Sequence, residues 1–322
     1  MIQKAPLILA ADIGGTNTRV ALLDGTTLRV ETIKRYVNAS WGGLEAILRD
    51  YLKAQNTAPL DAVSLALAGP IAGPRHSATG KLTNLDWTIS AAAASAATDC
   101  GFGVLLNDLC AQGHALPFLQ KSAFHQIQSA PSAQNDDPCL MIGLGTGLNV
   151  APVHRLDAGT YVPPAEAGHI SFAPQGDTLG AFGAALSTQL GHVAIEDILS
   201  GRGIERAYLH VAGQARPSFN VMELCGKADE TALRAVGLVV QTLGHFAGDM
   251  ALIHLPRGGI HFVGGVARAL KPYLQSQGFL QCFAAKGRFS DFMMQFPICL
   301  IEDDYAALIG AASYAQDRLR AR

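Results

Sequence analysis

The chain has 322 residues, 49% hydrophobic and 16% charged, with 24 basic against 26 acidic side chains and a formal net charge of −2. That length suits two domains or one large lobed one, and the apolar content is enough for substantial cores. The charge balance leaves no electrostatic footprint for nucleic acid, and no basic amphipathic stretch points to a membrane surface.

Residues 7–13 form an apolar run of the length of a buried strand, too short for a secretory signal and ending at Asp12 and Ile13. Gly14, Gly15, Thr16 and Asn17 follow, and apolar residues resume over 20–23. Strand, glycine turn and strand make a β-hairpin. The glycines let the turn backbone lie close to a ligand. Its N–H groups, the Thr16 hydroxyl and the Asn17 amide can cradle an anion such as a phosphate. Asp12 then stands where a magnesium ion, held through water, accompanies that phosphate. An ordinary hairpin, with Asp12 and Thr16 capping its turn, is the competing reading.

Asn38, Ala39 and Ser40 match a glycosylation acceptor, a chance match in a chain read as having no secretory signal. Leu44, Ile47, Leu48, Tyr51 and Leu52 fall at helical spacing and predict an amphipathic helix over Leu44–Gln55. Val63, Leu65 and Leu67 alternate as in a strand that ends before Gly69. Residues 73–84 are turn-rich and read as a loop. Gly80 and Lys81 resemble the end of a Walker loop, but Leu82 follows where Ser or Thr is required, and the upstream glycine spacing is wrong. A helix is predicted over 90–97, a strand from Gly103 to Asn107, and a helix over 109–119. The alternation argues for a largely parallel α/β sheet. Ligands of such sheets lie beyond the carboxyl ends of the strands, where Asp12, Gly69, Asp108 and Gly143 all fall.

Residues 140–153 repeat the opening plan: a strand, a turn of Gly143, Gly145, Thr146 and Gly147, and a second strand. Two such turns read as the starts of two halves of a duplicated plan, able to hold a polyphosphate from both sides. Glu166, Gly168 and His169 lie in a turn-rich approach to residues 170–172. A helix is predicted over 179–190, and residues 193–195 lead into Glu196 and Asp197. The apolar helix over 232–255 is interrupted by Arg234, Gln241, His245 and Asp249, which suits a core helix rather than a membrane span. A strand over 260–263 ends in Gly264 and Gly265, a second covers 298–301, and a helix covers 305–318. The six cysteines (Cys100, Cys110, Cys139, Cys225, Cys282 and Cys299) are scattered without a CxxC pair, which suits reduced thiols and a cytoplasmic protein.

Among these residues Asp108 is the leading catalytic candidate. Transfer of a phosphoryl group to a hydroxyl depends on positioning, charge stabilisation and a carboxylate that takes the hydroxyl proton. Asn107 can both donate and accept, as a polyol requires. An Asx turn or N-cap for the following helix is the rival reading of this pair. Glu166, His169 and Glu196 form a second polar group, suited to paired hydrogen bonds with vicinal hydroxyls or to structural hydrogen bonds. A zinc site would need further ligands at suitable spacing. His114 and His192 read as structural. Gly264 and Gly265 either let a purine lie on the backbone or make a plain turn.

Taken together and in order, these motifs resemble the bacterial glucokinase family of the hexokinase–actin-like ATPase superfamily over nearly the whole length. The residues that carry the resemblance are those from Asp12 to Arg19, Thr83 to Trp87, Asn107 and Asp108, Gly143 to Gly147, Glu166 to His169, Leu199 to Gly201, Phe262 to Gly265, and Lys286 to Phe289. The resemblance implies a two-lobed, ribonuclease H-like α/β fold with a duplicated core and a deep interlobe cleft. Its small lobe would comprise residues 1–107 plus 303–322, and its large lobe 108–302. It implies an ATP-dependent glucokinase that phosphorylates the 6-hydroxyl of D-glucose with Asp108 as base. The sugar would be held by Asn84, Asn107, Asp108, Glu166, His169 and Glu196. MgATP would be held by Ala11, Asp12, Ile13, Gly14, Gly15, Thr16, Asn17, Gly145, Thr146, Gly264 and Gly265, with Asp12 meeting Mg2+ through water. A homodimer is also implied. A kinase for mannose, fructose or an N-acetylhexosamine is the near alternative; a sugar sensor without turnover and an actin-like filament protein are the distant ones. Three residues depart from the family pattern: Ala167 stands where glycine is usual, Asn149 replaces a glycine, and Arg202 stands where proline is common. The related ROK kinases carry a zinc-binding cysteine cluster after their Gly-His pair; none follows Gly168 and His169, so no structural zinc is expected.

Overall fold

The computed structural model describes every residue except 1–3, 56, 75–76, 83–84, 131–133, 135 and 158. Two compact units emerge: Met1–Lys121 with Leu156–Pro164 and Asp303–Arg322, and Ser122–Arg155 with Ala165–Glu302. This division places residues 108–121 with the first unit, whereas the sequence expectation begins the second lobe at residue 108.

In the first unit the apolar run Leu7–Ile13 (β1) pairs antiparallel with Asn17–Asp24 (β2). Thr27–Leu28 (β3) and Lys34–Val37 (β4) pair on the far side of β2. Helix Leu44–Gln55 (α1) buries Leu44, Ile47, Leu48 and Tyr51, the i, i+3, i+4, i+7 stripe of its sequence. It returns the chain to Ala62–Leu67 (β5), parallel to β1. Ile71–Ala72 (β6), Thr79–Lys81 (β7) and Thr88–Ser90 (β8) then form a small antiparallel sheet. The expected loop over 73–84 therefore contains a strand, too short and glycine-rich to show a period of two.

The Ser90 hydroxyl accepts the Ala93 N–H at 3.3 Å and caps Ala91–Ala97 (α2). Gly103–Asn107 (β9) joins β5 in parallel, and Asp108–Ala115 (α3) follows at once. The helix expected over 109–119 ends at Ala115 and tightens to a 3₁₀ turn over Leu116–Phe118, where Pro117 has no N–H to continue it. The main sheet runs β3-β2-β1-β5-β9.

The second unit repeats this plan. Phe124–Gln128 (β10) precedes Cys139–Leu144 (β11), which makes an antiparallel hairpin with Leu148–Leu156 (β12). Gly159–Tyr161 (β13) belongs to the first unit. Helices Gly176–Leu190 (α4), Gly201–Ala212 (α5), Ser218–Gly226 (α6) and Glu230–His254 (α7) lead to Gly259–Val263 (β14), parallel to β11. Gly265–Leu270 (α8) and Phe279–Ala284 (α9) precede Ile298–Ile301 (β15), parallel to β14. A hairpin followed by two parallel strands thus occurs twice, β2-β1-β5-β9 and β12-β11-β14-β15, which is the duplicated core.

The length and apolar composition of α7 would let it cross a membrane, the only such helix among the described residues, but most of it is buried inside the protein. One of its polar interruptions is paired, for Lys286 donates to the Asp249 carboxylate at 2.5 Å and also to the backbone carbonyl of His245 at 3.0 Å. Helix Ala306–Arg320 (α10) returns to the first unit, where it packs on α3 and β5. Gly310 permits that approach, since a Cβ there would collide with the Ala111 carbonyl.

Candidate active site

In the first unit three predicted residues gather at the carboxyl ends of parallel strands. Asp12 lies near the end of β1, Gly69 just beyond β5, and Asn107 ends β9. The Asn107 amide donates to the Gly69 carbonyl at 3.1 Å. Its Oδ1 accepts the Leu109 and Cys110 N–H groups at 3.0 and 3.3 Å, so Asn107 is the N-cap of α3. Asp108 is the first residue of that helix, and its Oδ1 accepts the Leu109 N–H at 2.9 Å.

The electrostatics single out Asp108. Its carboxyl is pushed from 3.8 up to about 7, first by loss of hydration and then by the nearby charge of Asp12, against the pull of the backbone N–H groups of Leu109 and Asp108. Asp12 is also raised, by burial, even though Arg19 sits 3.3 Å away across the hairpin in register with it. Arg19 reaches the Asp304 carbonyl as well, at 3.3 Å. Two neighbouring raised carboxyls with a single guanidinium beside them suit a site that receives a further cation.

The first glycine turn is closed by Asn38, which no sequence pattern ties to it. The Gly14 N–H donates to the Asn17 carbonyl at 3.0 Å. Asn38, fully buried, donates its amide to the Gly14 carbonyl at 2.8 Å and accepts the Thr18 hydroxyl at 2.8 Å, while its N–H meets the Thr16 carbonyl at 2.9 Å. The glycosylation match at Asn38 thus falls on an inaccessible side chain that holds the turn. Thr16 is exposed and Gly14, Gly15 and Asn17 are partly so. Ala11 and Ile13 are fully buried, so only their backbone can serve a ligand.

The second unit holds the other predicted group. Glu196 Oε2 accepts the Leu148 N–H at 2.9 Å, just past the second glycine turn, and its Oε1 lies 3.3 Å from Arg202. Ile170 and Phe172 bond to Ile195 and Val193, each at 2.9 Å, which brings the segment after His169 beside the one before Glu196. Gly168 must be glycine, because a Cβ would collide with the Leu148 carbonyl. Glu166 and His169 are exposed on either side of it. Asn149 donates to the Ala165 carbonyl at 2.6 Å and accepts the Ala167 N–H at 3.1 Å. The second turn is tied in as well: the Gly145 N–H meets the Gly147 carbonyl at 2.9 Å, and the Gly145 carbonyl accepts the Gly201 N–H at 3.1 Å. Gly264, at φ +103°, lies so close to the Leu144 backbone that no side chain fits, which seats Gly264 and Gly265 beside Gly145 and Thr146. A Cβ on Gly145 or Gly265 would meet nothing within 4 Å, so their outer surface is open to a ligand.

Asn84 lies outside the described residues. His114 is buried and its imidazole is pushed down to about 4 by burial and then by Arg318, so it stays neutral; its ring meets Tyr314 edge-on at 5.1 Å. His192 is exposed. All six cysteines are free, five of them buried. Among the described residues, no three His, Cys, Asp or Glu side chains cluster as a metal cage would require.

Residues 9–318 match the protein family described as Glucokinase. Glucokinase of Yersinia enterocolitica is 30% identical over 318 residues, covering 97% of each chain. The crystal structure of a glucokinase from an Antarctic psychrotroph aligns with TM-score 0.86 at 28% identity, over 97% of this chain and 99% of that one. A glucokinase from Balamuthia mandrillaris, solved in complex with glucose, shares the fold at TM-score 0.75 and 18% identity, over 98% of this chain and 95% of that one.

Proposed function

Because the chain belongs to the glucokinase family, we propose that it transfers the γ-phosphoryl group of ATP to the 6-hydroxyl of D-glucose. The observation that carries the mechanism is the carboxyl of Asp108, raised to about 7 at the tip of β9. A base of that strength takes a hydroxyl proton near neutral pH, and is not so weak that the transfer stalls. Asn107, fixed as the cap of α3, orients the same hydroxyl with the amide hydrogen that Gly69 leaves available.

In the second unit Glu166, His169 and Glu196 are the candidates for sugar ligands. Glu166 and His169 present exposed polar groups on either side of a turn whose backbone is fixed, and Glu196 is anchored on Leu148. Carboxylates and an imidazole are the groups that pair with vicinal hydroxyls. The phosphates of ATP would take the backbone of the two glycine turns, with Thr16, Asn17 and Thr146 as side-chain donors, and the adenosine would lie toward Gly264 and Gly265. Magnesium carried by the phosphates supplies charge neutralisation of the transferring group. Asp12 is the residue suited to hold its hydration water, and its burial beside Asp108 fits a cation there. The same reading takes the protein as a cytoplasmic homodimer, a state that sedimentation tests directly.

The test is ADP release from MgATP against a panel of hexoses. Release with glucose well above the no-sugar control supports the reading. Release only with mannose, fructose or an N-acetylhexosamine keeps the chemistry and changes the sugar. Glucose binding by calorimetry without release would identify a sensor and overturn the kinase.

A further inference from the structure

The geometry points to Asn149 as a positioning residue that fixes the sugar-binding turn to the second phosphate hairpin. This inference rests on the reading of Glu166 and His169 as sugar ligands. Asn149 lies at the start of the return strand of that hairpin and stands opposite Gly143 in the β11–β12 register. Its carboxamide reaches across to the backbone on both sides of Glu166: Nδ2 donates to the Ala165 carbonyl at 2.6 Å, and Oδ1 accepts the Ala167 N–H at 3.1 Å. The same Oδ1 accepts the Val150 N–H at 2.8 Å, which fixes the side-chain orientation.

The two flanking bonds hold Glu166 as a staple holds a loop. Glu166 has φ −131° and ψ +51°, outside the regular regions, and begins the 3₁₀ turn Ala167–His169. Within that turn the His169 N–H meets the Glu166 carbonyl at 3.2 Å. Ala165 and Ala167 rest against the apolar core of this unit, while the Glu166 and His169 side chains between and beside them are exposed. The packing seats the turn, and the two Asn149 bonds set the backbone orientation from which Glu166 projects, which a ligand needs set before it binds. Glu196 is held to the same hairpin one residue earlier, through the Leu148 N–H. Glu196 and the backbone on both sides of Glu166 are thus tied to Leu148 and Asn149, directly after the glycine turn.

Two substitutions test the assignment in the full-length enzyme. Asn149→Leu keeps the branched shape and removes donor and acceptor, and Asn149→Ala removes both with a smaller side chain. Both are expected to raise KM for glucose by about tenfold, the effect of losing backbone-directed hydrogen bonds that preorganise a ligand, with KM for ATP within about twofold. Hydrogen exchange at the amides of residues 166–170 should accelerate in the same variants. Equal rises in both KM values would show a merely structural residue and overturn the assignment. So would variants with wild-type glucose KM and unchanged exchange. Absence of glucose-dependent turnover in the wild-type enzyme is a separate failure: it would remove the reading of Glu166 and His169, and the assignment with it.

Discussion

Replacing Asp108 by asparagine should sharply reduce turnover and yet stabilise the fold at alkaline pH. In the unfolded chain this carboxyl ionises near 3.8; in the folded protein it holds its proton up to about 7. Between those values the native state binds more protons than the unfolded one, so stability falls as pH rises, and the loss is complete above pH 7. At about 1.4 kcal/mol per pKa unit the full shift corresponds to roughly 4 kcal/mol, and because the side chain is partly open to water we expect about 2 kcal/mol. The substituted carboxamide is neutral at every pH and still offers an oxygen to the Leu109 N–H. Urea unfolding of both proteins without nucleotide or divalent cation, at pH 5 and pH 8, isolates the effect. The variant's advantage should be about 2 kcal/mol at pH 8 and clearly smaller at pH 5, while its turnover falls by about 10²-fold or more. An advantage that is absent at pH 8, or equal at both pH values, would refute the raised carboxyl and with it the electrostatic case for Asp108 as base.

Other substitutions probe the rest of the framework. Asn38→Leu removes a buried carboxamide, leaves the Gly14 carbonyl and the Thr18 hydroxyl without it, and should cost about 2–4 kcal/mol in unfolding free energy while raising KM for ATP more than KM for glucose, as separate melts and kinetics will show. Gly168→Ala should weaken glucose binding by at least about tenfold in calorimetry, because the Leu148 backbone must move before the methyl group fits. Arg202→Met should change the melting temperature little, since the pair with Glu196 is largely exposed on the arginine side and such pairs contribute at most about 1 kcal/mol; its effect should instead show as altered discrimination among hexoses. The acid limb of kcat/KM for glucose should lie near the Asp108 ionisation, with activity lost as pH falls through about 7.

The parts of this site that are legible in the sequence are local ones. A strand that ends in Asp12 and glycines, a second that ends in Asn107 and Asp108, and a repeat of the first hairpin at Gly143 each announce themselves within a dozen residues. The period of α1 is legible for the same reason: Leu44, Ile47, Leu48 and Tyr51 fall on one face. What escapes is long-range. Asn38 lies 24 residues from the Gly14 carbonyl it holds, and no periodicity links the two. Asn149 reaches 16 residues ahead to Ala165, and its sequence context is that of a strand. The sheet of β6, β7 and β8 escapes because two- and three-residue strands show no alternation. Helix α5 begins with Gly201, Arg202 and Gly203, a start that reads as a turn, although Ile204, Ala207 and Tyr208 behind it are buried.

Phosphoryl transfer from ATP to glucose, with Asp108 as proton acceptor, is the reaction proposed for this protein. Its most direct test is the formation of glucose 6-phosphate from glucose and MgATP by the wild-type chain and by Asp108→Ala, with glucose affinity measured in both. Product is expected from the wild type only, with glucose affinity in the variant within about an order of magnitude of the wild-type value. Product from the variant at near wild-type rate would contradict the role of Asp108, and no product from the wild type would contradict the assignment as a glucose kinase.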